Sequence, residues 1–310
     1  MSKTALFFPG QGSQYVGMAK GLYDAFPSVR QLYILASDEI GVDIARLSFE
    51  GPAEDLKRTR FTQPAILLHS LAVLTVLQER LPPFDFAAGH SLGEYGALAA
   101  ARALSFEDAV KAVVKRAALM EEACQIHPSA MAAILGLEGE KAAEICDLAS
   151  HAGVVVPANF NSTVQVVISG ERSAVEEAIA LAREAGAKRA VMLEVGGAFH
   201  SPLMESAQVG LAEYLRGVHI HPPSCPVVAN VTALPVMNED EIRRCLIAQI
   251  TAPVKWTQTM KYLGDNEVTV VVEIGPGKVL SGLAKRDMPL EKAVNLDTLE
   301  DIEAFSAVMV

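Results

Sequence analysis

The chain has 310 residues, 51% of them hydrophobic and 20% charged, with a formal net charge of −11. That length suggests about two domains with a large core, and the acidic balance argues against wholesale binding to nucleic acid or an anionic membrane. The four cysteines (Cys124, Cys146, Cys225, Cys245) lack CxxC spacing; with no signal-peptide core and no apolar run approaching the ~20 residues of a membrane span, reduced thiols and a cytoplasmic setting are expected.

Residues 1–126 alternate short strands with helical patterns. "TALFFPG" reads as a strand entering a Gly-rich turn, "QPAILLHSLAVLTVLQER" as a helix apolar nearly all round and therefore buried, "FDFAAGH" as a strand and "GEYGALAAARA" as a helix. "SFEDAVKAVVKRAALMEEAC" is a helix with Ser105 as N-cap. Strand, turn and helix in repetition predict a parallel sheet covered by helices. Residues 127–195 run β-α-β-β-α-β, the order of a small ferredoxin-like α+β domain inserted in the larger one. From 196 to 310 the first pattern returns, with "CPVVAN" and "VTVVVEIG" as strands.

Between the second strand and its helix stands "GHSLG", 89–93, which fits the G-x-S-x-G nucleophile elbow. The glycines permit a sharp turn, and Ser91 is left at a helix N-terminus that favours a developing oxyanion. A serine nucleophile needs a base. His69 lies in an apolar run and reads as core, His90 should point away from Ser91, and His127 and His151 fall in loops. His219 and His221 alternate and would share a strand face, but no third metal ligand is evident, so no metal site is expected. His200 follows Gly196-Gly197 and precedes Ser201-Pro202, an N-cap and first helical position. The helix end there should keep its imidazole neutral, as a base requires.

On the helix from Ser105, Arg116 falls at the edge of the buried face. Either a structural salt bridge or a clamp for a substrate carboxylate would satisfy it. The N-terminal turn "FFPGQGSQ" has the wrong glycine spacing for a dinucleotide site, and "GPGKVLSG" has Val279 where a phosphate loop needs Ser or Thr. Both read as tight strand-to-helix turns, the first positioned to donate a backbone N–H to an oxyanion.

"FFPGQGSQYVGM", "GHSLGEYGALAA", "KRAALM", "AMAAILGL", "GAFHSPLM", "PVKW" and "EIGPGKVLSGLAKR" occur in that order. With these motifs, nearly end to end, the chain resembles the malonyl-CoA:acyl carrier protein transacylases. The resemblance implies an α/β fold: a large α/β-hydrolase-like catalytic domain with a parallel sheet, residues 1–126 and 196–310, and the ferredoxin-like insert, 127–195. It implies malonyl transfer from malonyl-CoA to the phosphopantetheine thiol of acyl carrier protein, for fatty acid biosynthesis, with Ser91 as nucleophile and His200 as base. Gln11 and Leu92 would supply oxyanion N–H groups, Arg116 would hold the malonyl carboxylate, and the Gln249 carbonyl would orient the histidine. Phe199 resembles the malonyl-selective pattern. No cofactor is implied, and a monomer is expected.

The nearest alternative is a discrete acyltransferase serving a polyketide synthase. A serine hydrolase or thioesterase has less need of Arg116, and a non-catalytic carrier-binding scaffold would not need every catalytic position filled. Thr163-Val164 departs from the Pro-Gly frequent in the family. Acyl carrier proteins are acidic, so a local basic patch is expected at the site's mouth, with Lys188, Arg189, Lys285 and Arg286 as candidates for carrier or CoA docking.

Overall fold

The computed structural model describes residues 2–77, 81, 83–126 and 128–308; His127 lies outside them. Its strands are β1 (Lys3–Phe8), β2 (Phe86–Gly89), β3 (Ser129–Leu135), β4 (Val155–Ser162), β5 (Gln165–Glu171), β6 (Arg189–Met192), β7 (Val227–Val228), β8 (Pro235–Val236), β9 (Val268–Ile274) and β10 (Lys292–Leu296). Six form one sheet in the order β10-β9-β1-β2-β7-β8. Every pairing in it is parallel except β7 with β8.

β1 sits in the middle and is buried on both faces. Ala5 and Phe7 pack into a layer with Trp256, Met260 and Leu283, while Leu6 and Phe8 pack into the larger layer with Leu67, Leu71 and Tyr95. Alternate residues of a strand point to opposite faces, so a nearly continuous apolar strand serves two cores. The helix Thr59–Leu77 belongs to the larger layer. It is long and apolar enough to cross a membrane, contrary to the expectation that no such run exists, yet 83% of its most apolar stretch is buried within the fold. An all-round apolar helix is what a core position requires.

The other four strands form an antiparallel sheet in the order β4-β5-β3-β6. The helices Gly139–Ala149 and Arg172–Glu184 cover one face, where Ala132, Ile134, Val166 and Ile168 make a separate core. On the other face Met131, Ala133 and Val167 join the main core and look toward the candidate site. β4 is tied to the larger unit through Phe160 N–H to Val254 O and Val254 N–H to Ala158 O. Thr163, in the two-residue turn between β4 and β5, donates its N–H to Asp287 Oδ2 at 3.0 Å. That bond, with a register shift near the end of β4, holds the turn without a glycine.

Candidate active site

β2 ends at Gly89 and the helix Gly93–Ala100 follows after three residues. The turn is too tight for side chains at its glycines. A Cβ on Gly89 would lie 2.0 Å from the Gly93 carbonyl carbon, and one on Gly93 would lie 2.1 Å from Phe8 O. Ser91 has φ 52°, a left-handed conformation that persists in a non-glycine residue only when its surroundings impose it. Asn230, just beyond β7, imposes it. Its Oδ1 accepts the Ser91 N–H at 2.6 Å, and its Nδ2 donates to Gly89 O at 2.6 Å.

Ser91 Oγ is 2.8 Å from His200 Nε2, and His200 Nδ1 is 2.8 Å from the Gln249 carbonyl oxygen. A carbonyl only accepts, so Nδ1 carries the hydrogen and Nε2 is free to accept the serine proton. His200 also lies at positive φ, 58°. Burial first, and then the Arg116 charge, pull its pKa from 6.5 to about 3. The ring is neutral as the sequence suggests, but for a different reason. The segment after it has Ser201 as N-cap and Pro202 at the start, as expected, and its 3-10 turn, Pro202–Met204, runs directly into the helix Glu205–Leu215; burial and Arg116 are the causes that lower the pKa.

Arg116 projects from the helix Phe106–Cys124, whose N-cap is Ser105 as expected, and it is fully buried. Its Nη2 donates to Ser91 Oγ at 3.0 Å and to Gln249 Oε1 at 2.8 Å, and its Nη1 to Gln63 Oε1 at 2.5 Å. Among the described residues it has no salt-bridge partner, and Nε has no hydrogen bond. Of the two readings left open by the sequence, the structural salt bridge is not formed. Gln63, Asn230 and Glu94 were not singled out in the sequence. The signal for Glu94 was an acid inside the apolar stretch "GEYGALAAA"; Gln63 and Asn230 carry no comparable mark.

A cavity of about 250 Å³ opens at Ser91, with Gln11, Leu92, Phe199 and His200 in its walls and Met131, Ala133 and Val167 opposite. The backbone N–H groups of Gln11 and Leu92 donate to no backbone acceptor among the described residues. A second cavity, about 530 Å³, shares Gln11, His90, Asn161 and Gln165 with the first and is bordered by Lys278 and Arg286. Arg286 thus stands at the approach, and Lys278, set aside with the rejected phosphate-loop reading, stands with it. Lys285 is exposed on the same helix but not in the cavity wall. Gln165, Leu135 and Arg189 are paired in a row across β5, β3 and β6, so Arg189 shares the cavity-facing side of the sheet. Lys188, its neighbour in sequence, lies in the bend before β6 and lines neither cavity.

The remaining histidines are accounted for. His69 is fully buried with Nε2 2.7 Å from Asp297 O. His90 turns its Nε2 to Asn161 Oδ1 at 2.8 Å, away from Ser91. His151 Nδ1 meets Leu148 O. His219 and His221 are not on a strand; they lie edge to face, 4.3 Å between centroids, in irregular chain. No group of three or more potential metal ligands occurs among the described residues.

Residues 6–296 match the acyl transferase domain family. The chain is 43% identical to malonyl CoA-acyl carrier protein transacylase of Haemophilus influenzae, over 99% of this chain and 98% of that one. It is 45% identical to the Bacillus subtilis protein of the same name, over 98% and 96%. A malonyl-transacylase solved in complex with a type II PKS acyl-carrier protein superposes with a TM-score of 0.94 at 40% identity, covering 99% of this chain and 100% of that one.

Proposed function

The chain belongs to the acyl transferase domain family, and from that premise we propose that it transfers the malonyl group of malonyl-CoA to the phosphopantetheine thiol of acyl carrier protein, supplying fatty acid synthesis. The observation that carries the reading is the contact set of Ser91 Oγ, which meets a neutral imidazole and a buried guanidinium at once. In our reading, Ser91 Oγ attacks the thioester carbonyl carbon while His200 Nε2 takes its proton. The backbone N–H groups of Gln11 and Leu92 receive the oxyanion. Collapse expels the CoA thiolate, which takes the proton from His200, leaving malonyl-Ser91. The carrier thiol then gives His200 a proton and attacks the ester, and the proton returns to Ser91.

Arg116, held by Gln63 and Gln249, turns from Ser91 Oγ to the malonyl carboxylate, a charge-assisted pair in a buried site. Phe199 crowds the substrate α-carbon and disfavours a methyl branch. The steps are proton transfer and acyl exchange, so neither metal nor redox cofactor is required. The larger sheet and its helices, 1–126 and 196–310, act as an α/β-hydrolase-like unit, and 127–195 as a ferredoxin-like insert that roofs the cavity; their separate cores support that division. All the proposed residues come from one chain, which fits a monomer, and four unpaired cysteines suit the cytoplasm.

Intact mass after incubation with malonyl-CoA, then with holo carrier protein, tests the reading. The wild type should gain one malonyl group and lose it to the carrier; Ser91→Ala should gain none while keeping its melting temperature. A malonyl adduct on Ser91→Ala would refute the role of Ser91.

A further inference from the structure

The acyl-transfer chemistry leaves one buried acid without a task. Glu94, three residues after the nucleophile, is 2% exposed. Its Oε2 accepts the Gln249 side-chain amide at 2.8 Å and the Asn230 backbone N–H at 3.0 Å. The first of these donors, Gln249, also contacts the arginine. Gln249 Nε2 donates to Glu94 and also, at 3.0 Å, to Ser91 O, while Gln249 Oε1 accepts from Arg116 Nη2 at 2.8 Å.

A glutamine amide can face either way, presenting its oxygen or its NH2. Here two acceptors lie on one side and a guanidinium on the other, so a single orientation satisfies all three. Without the carboxylate the amide loses one of the two acceptors that fix it. Arg116, for its part, has no carboxylate in direct contact among the described residues. The nearest negative charge it can use is that of Glu94, one amide away.

We propose that Glu94 is a positioning residue for the reaction: through the Gln249 side-chain amide it holds the buried Arg116 guanidinium in the orientation that receives the substrate carboxylate. Burial pushes Glu94 up to about 7, and the groups that draw it back down are Asn230, Gln249 and Arg116, the same network. The proposal rests on the malonyl-transfer reading given above.

Single-turnover acylation of the full chain by malonyl-CoA and by acetyl-CoA, followed by intact mass, separates positioning from general support, because acetyl has no carboxylate for Arg116. Glu94→Gln, which keeps the shape but removes the negative charge and one of the two acceptor oxygens, should slow malonyl uptake about tenfold more than acetyl uptake, in the same direction as Arg116→Ala. Gln249→Ala keeps the backbone carbonyl for His200 and should give the same selective loss. Adding Glu94→Gln to Gln249→Ala should then change the malonyl-to-acetyl ratio less than about twofold, since the link is already cut. Equal losses for the two thioesters, or none, would overturn the proposal. Should Glu94→Gln fail to fold, Gln249→Ala alone decides, and an unchanged ratio there is equally fatal. Wild type that takes up no malonyl would overturn the transferase reading and this proposal with it; normal wild-type uptake without the selective loss overturns this proposal alone.

Discussion

In the proposed reaction His200 is a weak base that stays neutral over the ordinary pH range. Its folded pKa is depressed to about 3 by burial and by Arg116, so the proton that would block Nε2 binds only at low pH. Activity that depends on neutral imidazole falls as pH drops through the folded pKa. The acid limb of kcat/KM for malonyl-CoA should therefore lie well below 6.5, and a limb found near 6.5 would show that the imidazole is not held as the structure has it. The three residues that meet at the candidate site are legible in the sequence, because the elbow pattern marks Ser91, the Gly-Gly and Ser-Pro flanks mark His200, and helical periodicity puts Arg116 on the inside. Their partners were not. Gln63 bonds Arg116 across 53 positions and Gln249 bonds Glu94 across 155, and no local pattern selects which amide will meet which charge. The cause of the histidine's neutrality was missed for the same reason: burial and a guanidinium are tertiary facts, whereas a helix start can be read from Ser-Pro.

Among the elements, the strand–elbow–helix unit tolerates least. Gly93 lies so close to β1 that an added Cβ would meet Phe8 O at 2.1 Å, a backbone atom that cannot swing aside. Gly93→Ala should push the helix away from the sheet and lower stability by about 1–3 kcal/mol, read as a fall in the urea midpoint together with reduced acylation of Ser91. An unchanged midpoint would mean the elbow relaxes more easily than its contacts imply. Most elements could be foreseen from apolar periodicity, but "CPVVAN" yields only two strand residues, Val227–Val228. The chain turns directly afterwards, with Ala229 N–H bonded to Leu234 O, and Asn230 is diverted to hold Ser91. A side chain taken by the site ends the strand that carried it. The Thr163-Val164 turn is a similar case: a bond to Asp287, remote in sequence, replaces the glycine expected there.

Over the whole molecule, a net charge of −11 must be reconciled with the acidic carrier proposed as its partner. Surface charge acts within ~8 Å at physiological salt, so the local signs at the cavity mouth decide the encounter. Arg286 borders the second cavity and Lys285 is exposed beside it. Arg286→Glu should raise KM for malonyl-CoA and for the carrier, Lys285→Glu for the carrier alone, each by several-fold at low salt and less as salt is added. Steady-state kinetics over a salt series checks this, and a salt-independent KM would place the docking surface elsewhere. Lys188 is adjacent to Arg189 in sequence but precedes β6 in a bend and lines neither cavity. The order of the large sheet also has a meaning in time. Of the strands in this sheet β1 leaves the ribosome first, yet it lies at the centre and pairs from Lys3↔Val268 onward with β9. At typical synthesis rates those partners emerge roughly 10–50 s apart. Until β9 arrives, β1 exposes one unpaired edge to the cell, and Gln249, whose carbonyl orients His200, is itself a late arrival. A nascent chain therefore carries Ser91, the proposed nucleophile, without the groups that would arm it until His200 and Gln249 emerge, and a chaperone that shields the waiting edge protects the cell from aggregation rather than from premature chemistry.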